Sequence, residues 1–260
     1  YQYRVRTGKA KARKYVNRGT DIAVVDETTE DAQVPVTEFA LAAEYSALEL
    51  QQAQAGNVDL LGDQANLVAR GMAEYEDRLI FNGQDSSNAS TKITGLTSAD
   101  AGFQTISSPK SFATADPMAI RTFFQQAVGK ITHLAGYASA KPVLLLPQAR
   151  IDELNVPVNE YNPQITILNM ISPWFSSVQA VPELEGQYWH AKNASAADKA
   201  KDMGIICVNT PDVAQIPLAM DLTRMATEVH NMITKIPYLE RMGGLAVRYP
   251  SAFVQLNGIN

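Results

Sequence analysis

Three histidines, one cysteine and 27 acidic side chains are the groups in this 260-residue sequence that could carry catalysis or bind a metal, and their spacing decides against most of that chemistry. His133, His190 and His230 are isolated, whereas two imidazoles must stand three or four positions apart to share an ion on one helical face. His133 falls near the apolar side of a predicted helix and is read as a packed side chain. Cys207 is the single cysteine, which excludes an internal disulfide and a cysteine-based zinc site within the chain. It lies in the apolar run Gly204-Ile205-Ile206-Cys207-Val208, where a buried, inert thiol is expected. Glu183 and Glu185 flank Leu184 and have the residue types of an acid–base pair, but two loop carboxylates at i and i+2 are read as solvated. Gly8-Lys9 and Gly129-Lys130 lack the upstream glycine and the following hydroxyl of a phosphate-cradling loop. Neither a Gly-x-Gly-x-x-Gly fingerprint nor a Gly-x-Ser-x-Gly elbow is present. No catalytic, cofactor-binding or metal-ligating residue is therefore assigned, and no cofactor is expected.

Charge is the more informative signal. The net charge is −5, too acidic for a general nucleic-acid binder that gains its affinity by neutralising phosphates. Residues 1–18 nevertheless hold seven bases and no acid, so the opening is +7 and the other 242 residues are −12. Tyr1, Tyr3 and Val5 alternate with Gln2, Arg4 and Arg6; Thr7-Gly8 supplies a turn; and Lys9 to Arg13 alternates again. This pattern predicts a hairpin with one charged face. Two strands are marginal in water unless they pack on something, so the charged face is either solvated or meets a partner, another subunit or a polyanion. An acidic stretch from Asp21 to Glu38 follows. Val34-Pro35-Val36 reads as an edge or turn, because proline cannot donate into a strand ladder. Together these residues predict a long two-stranded arm with a basic half and an acidic half, suited to pairing between copies.

The elements behind the arm are helical. Ser46-Ala47-Leu48-Glu49 has capping-box spacing and predicts a short helix to about Ala55, stopped by Gly56. A long helix is predicted over 57–80, with Leu61, Ala65, Val68, Met72, Tyr75 and Leu79 on one face, roughly 36 Å in length. Its apolar row should pack on strands from the last fifth of the chain. Glu74, Glu76 and Asp77 crowd its C-terminal turns, where the helix dipole disfavours negative charge. They are either simply solvated or matched by cations from elsewhere, the basic opening being the richest source. Residues 82–115, rich in Ser, Thr, Gly and Asp, read as surface loops.

Asp116-Pro117 predicts the cap and first turn of a third helix, with Ile120, Phe124, Ala127, Ile131 and Leu134 on its apolar face and Gly136 beyond its end. Strands are predicted at 143–146, 177–181 and 204–208, and a short helix after Pro147. Extended segments follow at 225–236, 245–248 and 252–256. Helices early, with strands between and after them, indicate an α+β fold. With 46% hydrophobic residues the chain can bury a sizeable core. No stretch approaches the roughly 20 apolar residues of a membrane helix, so no membrane partner is expected.

The order of arm, Val34-Pro35-Val36, short helix, and long helix ending Glu76-Asp77-Arg78-Leu79-Ile80-Phe81-Asn82-Gly83, followed by Gly95-Leu96, resembles the major capsid proteins of tailed bacteriophages. Their fold is named for phage Hong Kong ninety-seven and is shared by encapsulins. Val143-Leu144-Leu145-Leu146-Pro147 and Glu240-Arg241, with Gly243-Gly244 through Tyr249-Pro250 and Ala252-Phe253, are similar to the family's central and final strands. The resemblance implies an extended loop at 1–39 that reaches over a neighbouring subunit. It also implies a peripheral domain from 40–135 and 215–242, with 57–80 as its spine helix, and an axial domain from 136–214 and 243–260. The family has an N-terminal arm ahead of the loop, and this sequence starts at the loop itself. No crosslinking residue is carried over.

The function implied is a structural shell subunit, not an enzyme, assembling with many copies of itself into hexamers and pentamers of an icosahedral capsid. That capsid would enclose DNA without sequence-specific binding, with other capsid, portal or decoration proteins as further partners. The implied place is the virion, assembled in the bacterial host cytoplasm. Arg4, Arg6, Lys9, Lys11 and Arg13 on the arm, with Glu74, Glu76 and Asp77 on the long helix, are the subunit-interface candidates. An encapsulin-type protein compartment, and in a different class a soluble enzyme with an unrecognised site, are the rival readings.

Overall fold

The computed structural model describes residues 1–9, 26–84, 91–159, 161, 163–189 and 201–260. One layer is a five-stranded sheet built from β4 (Gln104–Ser107), β5 (Val143–Leu146), β6 (Ser177–Ala180), β7 (Gly204–Cys207) and β13 (Phe253–Asn257), in the order β4-β13-β7-β5-β6. All of β7 and most of β5 are buried, which is why both read as unbroken apolar runs rather than alternating ones. Helix α3 (Pro117–Thr132) packs Ile120, Phe124, Ala127 and Ile131 into this core. Phe112, Phe123 and Phe175 surround Phe124 at ring separations of 5.5–6.1 Å. Short helices α4 (Gln148–Leu154) and α5 (Ile167–Ile171) add Leu154 and Ile171 to the same core.

Three expectations need correction here. Asp116 stands at the N-cap of α3, but its side chain makes no capping bond, so Pro117 alone shapes the first turn. Helix α3 ends before His133 and Leu134; His133 is exposed at the C-cap and Leu134 half-buried. The region read as surface loops contributes β4, which pairs in parallel with β13, and it buries Ile93, Leu96 and Phe112. A four-residue polar strand carries too little pattern to be seen locally; the free edge of β13 makes it a strand.

A second sheet joins β3 (Val36–Ser46) to β11 (Ile233–Gly243) along their whole lengths. On the other edge of β11 lie β9 (Leu218–Arg224) and β10 (Glu228–His230). The extended segment expected over 225–236 is therefore broken: Asn231 and Met232 take φ of 49° and 64° and make a two-residue hairpin turn between β10 and β11. Register shifts interrupt the β11–β9 ladder on either side of Arg241. Short strands β8 (Ala214–Gln215) and β12 (Ala246–Val247) pair with each other beside the sheets.

Helix α1 (Ala47–Ala55) opens with the expected capping box: Glu49 N–H donates to Ser46 Oγ at 3.2 Å, and Ser46 N–H to Glu49 Oε2 at 2.8 Å. That reciprocal bond holds the Glu49 carboxyl below its ordinary range. Helix α2 (Leu60–Asn82) lies across the second sheet. Its Val68 and Met72 meet Ala43 and Phe39 of β3 and Tyr238 of β11, while Leu79 meets Met242 and Ile93. The row therefore packs on β3 as well as on the late strand β11. Leu61 drops out of it, 42% exposed. The contacts run antiparallel, Met72 near Ala43 and Leu79 near Phe39, so Leu61 falls beyond the end of β3.

The glycines after α2 are there for close approach. Leu96 N–H and Thr97 N–H donate to the carbonyls of Ile80 and Phe81 at 3.1 and 2.9 Å, satisfying helix-end acceptors that would otherwise be orphaned. A side chain at Gly95 would strike the backbone of Phe81 and Gly83, and Gly83 itself has φ of +68°.

Met72 is 3% exposed, so Met72→Ala should cost about 2–5 kcal/mol in chemical denaturation, and Val68→Asp should prevent folding. Leu61→Ala should fall within about 0.5 kcal/mol of wild type. Equal losses at Met72 and Leu61 would refute this assignment of the helix face.

Candidate subunit interface

Strand β1 (Gln2–Lys9) runs straight through Thr7-Gly8, where a turn was expected, and pairs with β2 (Asp26–Gln33) in an isolated two-stranded sheet. Eight residues of ladder on β2 outweigh the local turn preference of one Thr-Gly pair. The register sets Arg4 opposite Asp31, Arg6 opposite Thr29 and Lys9 opposite Asp26. The basic strand of the arm is thus paired along its length with the acidic strand of the same chain. Lys11 and Arg13 lie outside the described residues. The base of the ribbon is fastened by Tyr1, whose amino group donates to Val34 O at 2.7 Å and whose carbonyl accepts from Val34 N–H at 2.8 Å.

The three helix acids have separate surroundings. Glu74 accepts from Arg70 Nε at 2.9 Å, one turn back on the same helix, both side chains well exposed. Asp77 is exposed and lines a cavity of about 460 Å³ shared with Phe81, Glu183, Cys207, Ile216 and Leu245. Partial burial and then the charge of Glu76 push the Asp77 carboxyl up. Glu76 reaches inward to the Glu240 side chain on β11.

Glu240 enters the sequence reading only as part of the Glu240-Arg241 resemblance, with no site role. It is 2% exposed, and burial, followed by the hydrogen bond and charge of Glu76 and the charge of Asp221, pushes its carboxyl up to about 8. Its signal was the alternation Ile236, Tyr238, Glu240, Met242, which places a glutamate on the buried face of an otherwise apolar strand. Two further clusters were also unforeseen. Arg241 pairs with Glu38 across β11 and β3 at 2.9 Å. Half-buried Arg150 meets Glu153 at 2.8 Å and Asp202 at 3.2 Å, while Asp202 Oδ1 accepts from Gly186 N–H at 3.0 Å.

The residues weighed for chemistry are dispersed. His230 is exposed beside the β10–β11 turn, and His190 is outside the described residues. Glu185 accepts from Gln187 Nε2 at 2.6 Å, and Glu183 lines the cavity. Among the described residues no group of three or more His, Cys, Asp or Glu is placed to hold a metal, and no helix is long and apolar enough to cross a membrane.

A family model described as Major capsid protein matches residues 10–259. The chain belongs to the major capsid protein family. Solved shells share its fold. The capsid of Myoviridae phage XM1 matches with a TM-score of 0.74 at 15% identity, covering 99% of this chain and 85% of that one. Mycobacterium phage Ogopogo matches with 0.64 at 10% identity over 99% and 87%. A virus-like particle from Pyrococcus furiosus matches with 0.59 at 15% identity over 98% and 86%. A search of curated proteins finds no match. The α+β arrangement is thus the phage-capsid fold expected from the sequence, and the molecule is a shell subunit that self-assembles.

In this capsid subunit Cys207 is buried and its thiol is pushed up to about 11. Alkylation at pH 8 should therefore run about a hundredfold slower in the native protein than in denaturant, because so little thiolate is present. Equal rates would show an accessible thiol with its ordinary acidity.

Proposed function

We propose that the subunit forms hexamers and pentamers of an icosahedral phage capsid around DNA, working as structure and not as a catalyst, assembled in the host cytoplasm. In this reading residues 1–39 are the extended loop, 40–135 and 215–242 the peripheral domain, and 136–214 and 243–260 the axial domain. The supporting observation is the arm: among the described residues β1 and β2 pair only with each other, and such a ribbon is marginal in water until it lies on another surface. A neighbouring copy supplies that surface. Portal and decoration proteins would join the same shell.

Arg4, Arg6, Lys9, Lys11 and Arg13 belong to that contact, with Glu74 and Asp77 on the facing side; Glu76, also a candidate from the sequence, reaches inward to Glu240 instead. Exposed charges contribute little each to a finished contact, so the arm's cations steer encounter rather than hold it. Of the helix acids, Glu74 and Asp77 are exposed, and the single exposed Arg70 pair holds Glu74 only weakly.

Reversing Arg4, Arg6, Lys9 and Lys11 to Glu should abolish the megadalton species in size-exclusion chromatography while the subunit stays folded. Normal shells from that variant would overturn the arm's role. A second expectation concerns salt: assembly of Glu74→Gln with Asp77→Asn should be less sensitive to ionic strength than wild type, since one side of a screened contact is gone. An unchanged salt dependence would exclude the helix as the partner.

A further inference from the structure

The charged residue buried most deeply among those described is Glu240, which is not one of the subunit-interface candidates. Glu240 lies on β11 beneath helix α2, opposite Phe39 of β3. Around it are the apolar contacts that seat the helix: Phe39 against Tyr75 at 4.8 Å between ring centroids, Val68 and Met72 against Ala43 and Tyr238, and Leu79 against Met242. A lone carboxylate is costly in such a layer unless a cation or a proton neutralises it.

The groups that face it are acids. Helix α2 presents Glu76, hydrogen-bonded to Glu240, and strand β9 presents Asp221 at the irregular part of the ladder. Arg241, next to Glu240 in the chain, is engaged by Glu38 of β3, and Arg78, two residues beyond Glu76 on α2, is exposed; the charges that act on Glu240 are those of Glu76 and Asp221. A hydrogen bond between two carboxyl groups needs one proton, with the O–H of one donating to an oxygen of the other. Glu240 is the more deeply buried and is the acid that holds it.

We propose that the Glu76–Glu240 pair is a proton-operated latch between helix α2 and the sheet beneath it. With the proton in place, one hydrogen bond ties the C-terminal half of the helix to the central strand. When the proton leaves to solvent, two adjacent carboxylates with Asp221 beside them repel each other, and the helix loosens on the sheet.

The sign follows from the raised proton affinity of Glu240. Its contribution to closure is complete below the ordinary carboxyl value of 4.5 and is lost as the pH rises through about 8. The latch is therefore closed in mild acid and released in mild alkali. It is a property of the single subunit and stands apart from the capsid reading.

The test is amide hydrogen exchange on the full chain, comparing wild type with Glu240→Gln in the same assembly state. A glutamine keeps a donor for Glu76 and cannot lose it. After correction for intrinsic rates, wild-type amides from Val68 to Leu79 should open up to about tenfold more per pH unit between pH 6 and 8, flattening above, relative to Glu240→Gln. Parallel pH dependence in the two proteins would overturn the latch. So would a Glu240→Gln chain that fails to fold, because a permanently neutral side chain reproduces the closed state. A carbon-13 titration of wild type gives the second readout: loss of the Glu240 proton near 4.5 would refute the proposal, and loss near 8 would support it.

Discussion

The antiparallel pairing of β3 with β11 joins residues 36–46 to residues 233–243, and the capsid subunit depends on this contact more than on any other. It makes the platform on which helix α2 lies, because neither strand alone presents a face wide enough to cover Val68, Met72 and Leu79. It also fixes where the arm begins. Gly243 sits against Pro217 and the carbonyl of Pro35, and Gly244 against Ile93, with no room for a side chain at either. The end of β11, the start of β3 and the loop after α2 therefore meet at one point, and Val34-Pro35 leaves that point towards the ribbon.

The end of helix α2 is the second fixed point. The segment around Gly95-Leu96 returns to cap the last carbonyls of the helix, and Gln255 Nε2 donates to Leu96 O at 2.8 Å from within the core. One loop thus links the helix of one layer to strand β13 of the other. The carbonyls at the helix C-terminus need donors, and the loop at Leu96-Thr97, itself held by Gln255 of the five-stranded sheet, supplies them. This explains why the Ile-Phe-x-Gly ending and the later Gly-Leu pair belong together, although eleven residues separate Gly83 from Gly95.

Charge is handled locally in the body of the subunit. The Arg70–Glu74, Arg241–Glu38 and Arg150–Glu153–Asp202 contacts each lie within or between adjoining elements. In the arm the backbone register sets Arg4 opposite Asp31 and Lys9 opposite Asp26. Glu240 departs from this pattern: its neighbours are acids, and a proton takes the place of a counter-ion. A group held in that way responds to pH, where an ion pair of the same burial would respond mainly to the loss of its partner.

What the sequence determined by itself was whatever depends on near neighbours. The capping box at Ser46 and Glu49, the stop at Gly56, the helical row through Val68, Met72 and Leu79, and the apolar runs of β5 and β7 all rest on periodicity or on contacts within a few residues. The order of these parts was enough to place the chain among capsid proteins. Tertiary structure decided the rest. Strand β4 exists because β13 offers it an edge, and β1 ignores its Thr-Gly turn because β2 offers a longer ladder. His133 is exposed because its helix ends one residue before it. Glu240 reads in the sequence as one more polar residue in a strand; only the approach of α2 from one side and β9 from the other removes its water and leaves it facing two acids. Local pattern specifies which face of an element is apolar, but what covers that face comes from segments far along the chain, and with it come desolvation and the resulting charge state.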